Sequence, residues 1–212
     1  MRVEEIVRRV RDRSDRLASG LPVPAPPIGS DFSLSGIVPV PDMWKPASVL
    51  VPLVDHPEGV TVLLTQRTAD MPSHAGQIAF PGCRREERDV DAAATALRET
   101  EEEVGIPRCF VEVVGTMDLY HTGTGFEITP VVAIVTPGFT IRAQTREVAD
   151  VFEVPLDHFL NEVNHQIGSR QYQGRERRYY AMPYGDRYIW GATAGMLKNL
   201  YFVLTAKETA AA

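Results

Sequence analysis

The stretch "ALRETEEEVGI", Ala96 to Ile106, carries four glutamates within five positions directly after Arg98. Gly105 near its end is a typical stop signal, so the stretch reads as the last turns of a helix. Glu99 and Glu103 are four residues apart and share a face, and such a like-charge pair costs about a few tenths of a kcal/mol. Acidic side chains are favoured in the first turn of a helix, whereas these crowd toward the last. The pattern therefore predicts a positive group that compensates them.

The helix is predicted to run from Asp91 to Val104, and a run of alanines near its start favours helix formation. Asp89 or Asp91 could cap the first turn. At about 100° per residue, four side chains fall within an arc of about 140°. These are Arg98, Glu99, Glu102 and Glu103. Glu101 points away from this arc and is expected to be solvated.

Crowded carboxylates are typical ligands of hard divalent cations such as Mg²⁺ or Mn²⁺. Arg98 could order Glu102, four residues further on, through its planar guanidinium. Taken alone, however, the same pattern is also typical of a solvated acidic surface. The helix by itself leaves both interpretations open.

Composition bounds the class of protein. The chain has 212 residues, 44% hydrophobic and 24% charged, which fits one large globular domain or a domain with extensions. Its net charge of −6 argues against a generic basic nucleic-acid surface, without excluding a local patch. We expect no membrane segment and no signal peptide, because no apolar run is long enough. Two cysteines, Cys83 and Cys109, indicate no disulfide scaffold and favour a reducing cytoplasm.

The remaining patterns predict an α/β (α+β) fold in which helices pack on a mixed sheet. Residues 1–18 read as an amphipathic helix, followed by a connector rich in Pro, Gly and Ser. Its apolar stripe is Val3, Ile6, Val7, Val10 and Leu17. Runs of β-branched residues and leucines on both sides of a turn predict a β-hairpin between Ala47 and Arg67.

Further strand patterns occur in residues 109–137. Residues 139–160 read as a strand, a loop and a short helix. Residues 178–206 read as strand, turn, strand and a C-terminal helix. The apolar side of that last helix is Leu197, Leu200, Tyr201 and Leu204.

A helix of the form Arg-Glu-x-x-Glu-Glu-x-Gly after a glycine loop resembles the box of the Nudix hydrolases. The matching residues are Arg98, Glu99, Glu102, Glu103, Gly105 and Ile106. The upstream loop "LLTQRTADMPSHAGQIAFPG", Leu63 to Gly82, resembles the signature of the coenzyme A pyrophosphatase branch, as does "YIWGATAGML" near the C-terminus. The resemblance covers roughly residues 45–205.

The resemblance implies the Nudix α/β/α sandwich with a mixed central sheet, plus an N-terminal helix. We expect the helix and connector in residues 1–43, the Nudix domain in residues 44–206 and a tail in residues 207–212. The N-terminal helix could cover a sheet edge or support a homodimer.

The resemblance also implies a metal site for Mg²⁺ or Mn²⁺. In the family, the matching positions make Glu99 and Glu103 metal ligands and Glu102 an additional or bridging one. A backbone carbonyl of the glycine loop, near Gly82 and Cys83, completes the site. Divalent ions clamp phosphates and lower the pKa of bound water, which hydrolysis of a diphosphate requires.

Further side chains are candidates for catalysis and substrate binding. The catalytic set implied by the resemblance is Arg98, Glu99, Glu102 and Glu147. Glu147 is the candidate general base, with a surface salt bridge as the alternative. Arg67 could contact a phosphate bidentately or form a structural ion pair. His74 and Gln77 could line the pocket or brace the loop.

The sequence departs from the family pattern in several places. Cys83 stands where the family has a second glycine, so a strained backbone or a different local loop is expected there. Pro72 replaces an arginine, and Val90 replaces the glutamate of the usual box, while Glu86 and Asp89 match aspartate positions of the branch. A nucleophilic Cys83 is disfavoured because no partner base lies near it in sequence.

The function predicted is hydrolysis of coenzyme A or its thioesters to 3′,5′-ADP and (acyl-)phosphopantetheine. Within enzymes, the alternative is another nucleotide substrate, ADP-ribose or a nucleoside triphosphate. Outside enzymes, the alternative is a weakly active ligand-binding Nudix domain. The acidic trio argues against a pure binder, which has no need of crowded carboxylates. We expect neither nucleic acid nor membrane as a partner.

Overall fold

The structure, a computed structural model, describes residues 1–23, 28–35, 43–71, 74–172 and 174–206. Pro72 and the predicted tail, residues 207–212, lie outside these ranges. Among the described residues, no helix combines the length and the apolar character needed to cross a membrane.

Within these ranges a mixed sheet of eight strands forms the centre of the molecule. The strands are β1 Lys45–His56, β2 Gly59–Arg67, β3 Ile78–Ala79, β4 Gly82–Arg84, β5 Val111–Thr116, β6 Tyr120–His121, β7 Phe126–Val135 and β8 Val148–Pro155. The main path runs β3-β2-β1-β7-β5, while β4, β6 and β8 pair with β1, β7 and β2. β1 and β7 are parallel and the other pairs are antiparallel. β1 and β2 form the predicted hairpin.

Helices lie on both faces of this sheet. They are α1 Val3–Ala18, α2 Ala92–Val104, α3 Leu156–Leu160 and α4 Ala192–Thr205, with short 3-10 turns at Arg108–Phe110 and Glu162–Asn164. Successive residues of a strand point to opposite faces. Val51 and Leu53 of β1 accordingly pack in one cluster with α1, α3 and α4, whereas Leu50 packs with Ala96 of α2. The predicted α/β/α sandwich is confirmed.

The N-terminal helix packs into the main core. Ile6 and Val10 of its predicted stripe are fully buried. A Cβ on Gly115 of β5 would come within 2.8 Å of the Ser14 Cβ, so the helix lies directly on the end strand of the sheet path. Arg13 and Asp118 form a buried ion pair of 2.7 Å that the sequence had not indicated. α1 therefore covers an end strand, and the homodimer stays a prediction.

The predicted strand at the start of residues 139–160 does not form. Residues 136–147 are a loop, and the strand of this region is β8. The backbone N–H of Arg142 donates to the Val104 carbonyl (2.8 Å), and that of Gln144 donates to the Glu103 carbonyl (2.9 Å). The last carbonyls of a helix lack partners within it. The loop supplies those partners and therefore cannot join a ladder with the same groups.

A separate two-stranded ribbon was not predicted. Among the described residues, β9 Gln166–Tyr172 and β10 Arg175–Ala181 form a ladder with each other and with no other strand, and β10 includes the first strand expected in residues 178–190. The second expected strand is reduced to a single bridge between Ala181 and Trp190. The C-terminal helix forms as predicted, with its leucines buried and Tyr201 half-buried.

Candidate active site

The acidic helix α2 is fixed at both ends by local signals. The Asp91 carboxylate accepts a hydrogen bond of 2.7 Å from the Ala94 N–H and caps the first turn. Gly105 ends the helix in a left-handed conformation with φ of 78°, where a side chain would be strained. Both predicted boundaries are borne out to within one residue, and Asp91 rather than Asp89 is the cap.

Asp89 instead anchors Arg98. The Arg98 guanidinium donates from Nε and Nη2 to the two carboxylate oxygens of Asp89, at 3.0 and 2.9 Å. The Thr95 hydroxyl and the Glu86 backbone N–H donate to the same carboxylate at 3.0 and 2.9 Å. The hydrogen bonds from Arg98 hold the pKa of Asp89 well below its usual range. Sequence reasoning had offered Asp89 only as a cap or as a match to the branch.

The remaining guanidinium nitrogen of Arg98 reaches two glutamates of its own helix. Nη1 donates to Glu99 at 2.6 Å and to Glu102 at 3.2 Å. The predicted contact between Arg98 and Glu102 is therefore present. Glu102 is half exposed and also lies 3.5 Å from Arg88. Arg98 orients two candidate metal ligands and is itself held by Asp89.

Glu103 is buried and has a different environment. Its carboxylate accepts a hydrogen bond from the Gly82 N–H at 3.3 Å, and no ion pair of Glu103 occurs within the described ranges. Burial, and then the charge of Glu99, raise the pKa of Glu103 to about 8, while Arg67 acts in the opposite direction. Burial also raises the pKa of Glu99, against the effect of Arg98. The C-terminal half of the acidic face is thus electrostatically strained.

Glu147 lies on the loop that faces this half of α2. The loop is tied to the helix by the Gln144 N–H, and the Glu147 carbonyl accepts from the Thr68 N–H at 2.9 Å. The charge of Glu147 raises the pKa of Glu99 and of Glu103, so its carboxylate acts electrostatically on both. Glu147 therefore stays the candidate general base beside the acidic face.

The glycine requirement of the loop falls on Gly82 rather than on the next residue. Gly82 has φ of 152°, and a Cβ there would lie 2.3 Å from the Ser48 carbonyl oxygen. Among the described non-glycine residues, only His74 has a positive φ. Cys83 therefore has an unstrained backbone, so of the two alternatives stated for it the strained conformation does not apply.

The Cys83 thiol is exposed next to the acidic face. Although Cys83 is exposed as a residue, partial desolvation of its thiol and then the charge of Glu99 raise its pKa, with Glu103 and Glu147 adding to the effect. A thiol whose pKa is raised is a poorer nucleophile at neutral pH. This environment agrees with the interpretation that Cys83 performs no covalent step.

The three candidate substrate-binding residues lie together at the end of β2. The backbone N–H of Arg67 donates to the Gln77 carbonyl at 2.9 Å. Arg67 Nε is buried and has no hydrogen-bond partner among the described residues. The His74 ring bonds to the Gln77 side chain at 2.8 Å, so these two brace each other on the surface of the loop.

The donor chemistry of the acidic face fits a hard divalent cation. Glu99, Glu102 and Glu103 present carboxylate oxygens, which such ions prefer. Within the described parts of the chain, no three acidic, histidine or cysteine side chains are already grouped around one metal position. Glu99 and Glu102 are instead held by Arg98. Arg98 would keep Asp89 if Glu99 turned away, so the set can rearrange without leaving the arginine unpaired.

A cavity of about 350 Å³ lies elsewhere, at the turn of the β1–β2 hairpin. His56, Thr61 and Glu153 contribute to its lining, and the His56 ring contacts the Glu153 carboxylate at 2.6 Å. No predicted site residue lines it among the described residues. We assign the site to the acidic helix because the candidate residues converge there.

A family model, the NUDIX domain, matches residues 44–173. The chain belongs to the Nudix hydrolase family. Proteins named uncharacterized Nudix hydrolase NudL are similar to it. The one from Escherichia coli K12 is 39% identical over 163 residues, 77% of this chain and 84% of the relative. The one from Photorhabdus laumondii is 40% identical over 159 residues, 75% of this chain and 84% of the relative.

Solved structures also resemble this Nudix hydrolase. The NUDIX domain of NrtR from Shewanella oneidensis, solved with ADP ribose, is 23% identical with a TM-score of 0.44. The match covers 60% of this chain and 83% of that one. Nudix hydrolases generally use divalent metal ions, which agrees with the donor set of α2.

Proposed function

We propose that this Nudix hydrolase is a pyrophosphatase that uses Mg²⁺ or Mn²⁺ and cleaves coenzyme A or its thioesters. The products are 3′,5′-ADP and phosphopantetheine or its acyl form. The observation that carries the hydrolytic part is Glu103, a buried carboxylate with a pKa raised to about 8 beside Glu99 and Glu147. The resemblance of the loop from Leu63 to Gly82 to the coenzyme A pyrophosphatase branch supports the choice of substrate. Two free cysteines suit the reducing cytoplasm in which we expect the enzyme.

Glu99 and Glu103 would hold the ion, with Glu102 as a further ligand. The ion supplies charge neutralisation for the diphosphate and acidifies water. Arg98 is a positioning residue in this scheme, because it holds Glu102 and is locked by Asp89.

The protein contributes a base and an anion-binding group. Glu147 accepts the proton of the attacking water, whose oxygen bonds to one phosphorus of the diphosphate. The bond from that phosphorus to the bridging oxygen breaks, and the second phosphate leaves with the bridging oxygen. Arg67 lies close enough to lower the pKa of Glu103, and its Nε can donate to a phosphate oxygen.

The test is turnover of coenzyme A by the purified protein with Mg²⁺, Mn²⁺ or a chelator, with products identified by mass spectrometry. ADP-ribose and a nucleoside triphosphate are assayed in parallel. We expect metal-dependent release of 3′,5′-ADP, faster than turnover of the other two substrates.

Faster cleavage of ADP-ribose or of the triphosphate would contradict the substrate assignment and leave the hydrolase intact. Absence of turnover with all three, in a folded protein, would favour a ligand-binding domain. Glu101→Gln is the matched control for substitutions on α2, because Glu101 is exposed and contacts only Arg108 at 3.4 Å among the ion pairs described.

A further inference from the structure

The two-stranded ribbon is basic in an otherwise acidic protein. Residues 166–181 contain four arginines and one glutamate, a net charge of +3, whereas the whole chain has −6. Basic surface of this kind attracts anions and raises their local concentration. The ribbon therefore attracts an anionic ligand, whereas the net negative charge of the whole protein repels one.

One face of the ribbon combines arginine with aromatic rings. Arg170 and Arg177 are directly opposite each other in the register, and Tyr179 shares their face because side chains alternate along a strand. The Arg170 guanidinium lies 4.6 Å from the Trp190 ring centre, and the Tyr179 and Trp190 ring centres are 4.9 Å apart. We call Arg170, Tyr179, Tyr188 and Trp190 the ribbon face.

The ribbon face is held in place before any ligand arrives. A Cβ on Gly168 would lie 2.7 Å from the Tyr179 ring, so the ring lies flat on the backbone there. The hydroxyls of Tyr179 and Tyr188 are 3.4 Å apart, and this contact raises the pKa of Tyr188 to about 12. A tyrosine hydroxyl is neutral at physiological pH and does not repel anions. Tyr188 is 46% exposed and offers a ring surface.

The ribbon face is joined to the catalytic end of the sheet. Trp190 is three residues before Thr193, so their Cα atoms lie within about 11 Å. The Thr193 hydroxyl donates to the Ile78 carbonyl at 3.0 Å, and Ile78 pairs with Gln66, the neighbour of Arg67. A substrate with its diphosphate at Arg67 can thus extend toward the ribbon.

We propose that the ribbon face binds the phosphorylated purine nucleoside end of the substrate. Tyr188 and Trp190 stack on the base, and Arg170 binds the phosphate on the ribose. Aromatic stacking and charge-assisted hydrogen bonds from arginine are the interactions that such a group needs. This inference rests on the proposed function, because that function makes coenzyme A the substrate.

Binding is tested without hydrolysis, in a chelator, with 3′,5′-ADP as the probe. Trp44 and Trp190 are the two tryptophans, so a Trp44→Phe background makes Trp190 the reporter. We expect 3′,5′-ADP to quench its fluorescence, and Arg170→Gln to weaken binding by about tenfold or more. Arg178→Gln is the matched control, because Arg178 is exposed on the opposite face of the ribbon, on the neighbouring strand β10. No quenching, or equal losses in both variants, would overturn the proposal.

Steady-state kinetics separate this inference from the proposed function. We expect Arg170→Gln to raise KM for coenzyme A by about tenfold, with little change for 3′-dephospho-coenzyme A and with kcat unchanged for both. An equal change for the two substrates would contradict the role of Arg170. If the protein binds 3′,5′-ADP as predicted but hydrolyses no coenzyme A, the proposed function is wrong and the ribbon face stands.

Discussion

Two carboxylates on and beside α2 are equally buried and respond in opposite ways. Asp89 and Glu103 are each 6% exposed. The pKa of Asp89 lies well below its usual range, whereas that of Glu103 rises to about 8. Asp89 receives a bidentate hydrogen bond from Arg98, while Glu103 receives one backbone N–H. At Asp89 the hydrogen bonds from Arg98 outweigh burial. At Glu103 burial is the largest effect, and no cationic side chain of the described residues opposes it at hydrogen-bond distance.

This difference separates a supporting half of the site, around Asp89, from a reactive half, around Glu103. Around Asp89, opposite charges satisfy each other, which is what a structural anchor requires. Around Glu103, like charges are gathered with little compensation, which favours a cation from outside the chain. Groups with strongly perturbed pKa values often mark functional sites. Changing each carboxylate to its amide tests whether the two halves really differ.

The largest effect is expected from Glu103→Gln. The change removes a proposed metal ligand and keeps the shape of the side chain. Replacing a residue that only supports the metal ligands typically reduces metal affinity or activity about 10- to 100-fold. Replacing a ligand itself should therefore reduce kcat/KM more, by about 10³-fold. The measurement is turnover of coenzyme A with Mn²⁺ beside Glu101→Gln. Near-normal turnover by a folded Glu103→Gln protein would remove Glu103 from the site.

Asp89→Asn should act on stability instead. The substitution leaves Arg98 without its bidentate partner and should lower the free energy of unfolding by about 2 kcal/mol. Urea unfolding of both amide variants in a chelator measures this. At pH 9, where the Glu103 carboxylate is ionised, Glu103→Gln should be no less stable than the wild type, because a repelling charge is removed. Equal destabilisation by both changes would erase the distinction between the two halves.

The pH dependence of stability should follow Glu103. Its pKa is 4.5 in the reference state and about 8 in the folded protein. The folded state therefore holds its proton more tightly, so the stabilisation is complete below pH 4.5 and is lost as the pH rises through about 8. In a chelator, the stability of Glu103→Gln should exceed that of the wild type by about 4 kcal/mol at pH 9, and the difference should shrink toward pH 5. A difference independent of pH would contradict this.

The smallest effect concerns the cap of α2. Asp91→Ala removes the hydrogen bond to the Ala94 N–H and should lower the free energy of unfolding by about 1 kcal/mol. Thermal unfolding measures the loss, and KM for coenzyme A should stay within about twofold. A large change in KM would mean that the start of the helix belongs to the reactive half.

Much of the supporting half and of the fold follows from local patterns. The limits of α2 were predicted from Asp91 and Gly105, because capping depends on a few neighbouring residues. The β1–β2 hairpin was predicted because two strand-like runs on either side of a turn are also a local pattern. The loop at residues 136–147 was missed, since its N–H groups serve the end of α2, a partner that is distant in sequence.

The acidic face was predicted as a set, but its internal division was not. The sequence placed Glu99, Glu102 and Glu103 on one face and indicated the contact of Arg98 with Glu102, but not its contact with Glu99. Asp89 was considered as a cap because nothing local pairs it with Arg98, nine residues away. The ribbon was also missed. Among the described residues, β10 forms its ladder with β9, and the second strand expected in residues 178–190 is reduced to one bridge. Such choices depend on tertiary packing.

The central claim is that Glu103 and its neighbours form a cation site, and metal-dependent unfolding tests it most directly. Thermal unfolding of the wild type, Glu101→Gln and Glu103→Gln would be followed while Mn²⁺ is raised from a chelated start. A ligand that binds only the folded state stabilises it in proportion to the logarithm of its concentration above the Kd. We predict that Tm rises for the wild type and for Glu101→Gln but not for Glu103→Gln. An equal rise in all three proteins, or no rise in the wild type, would contradict the claim.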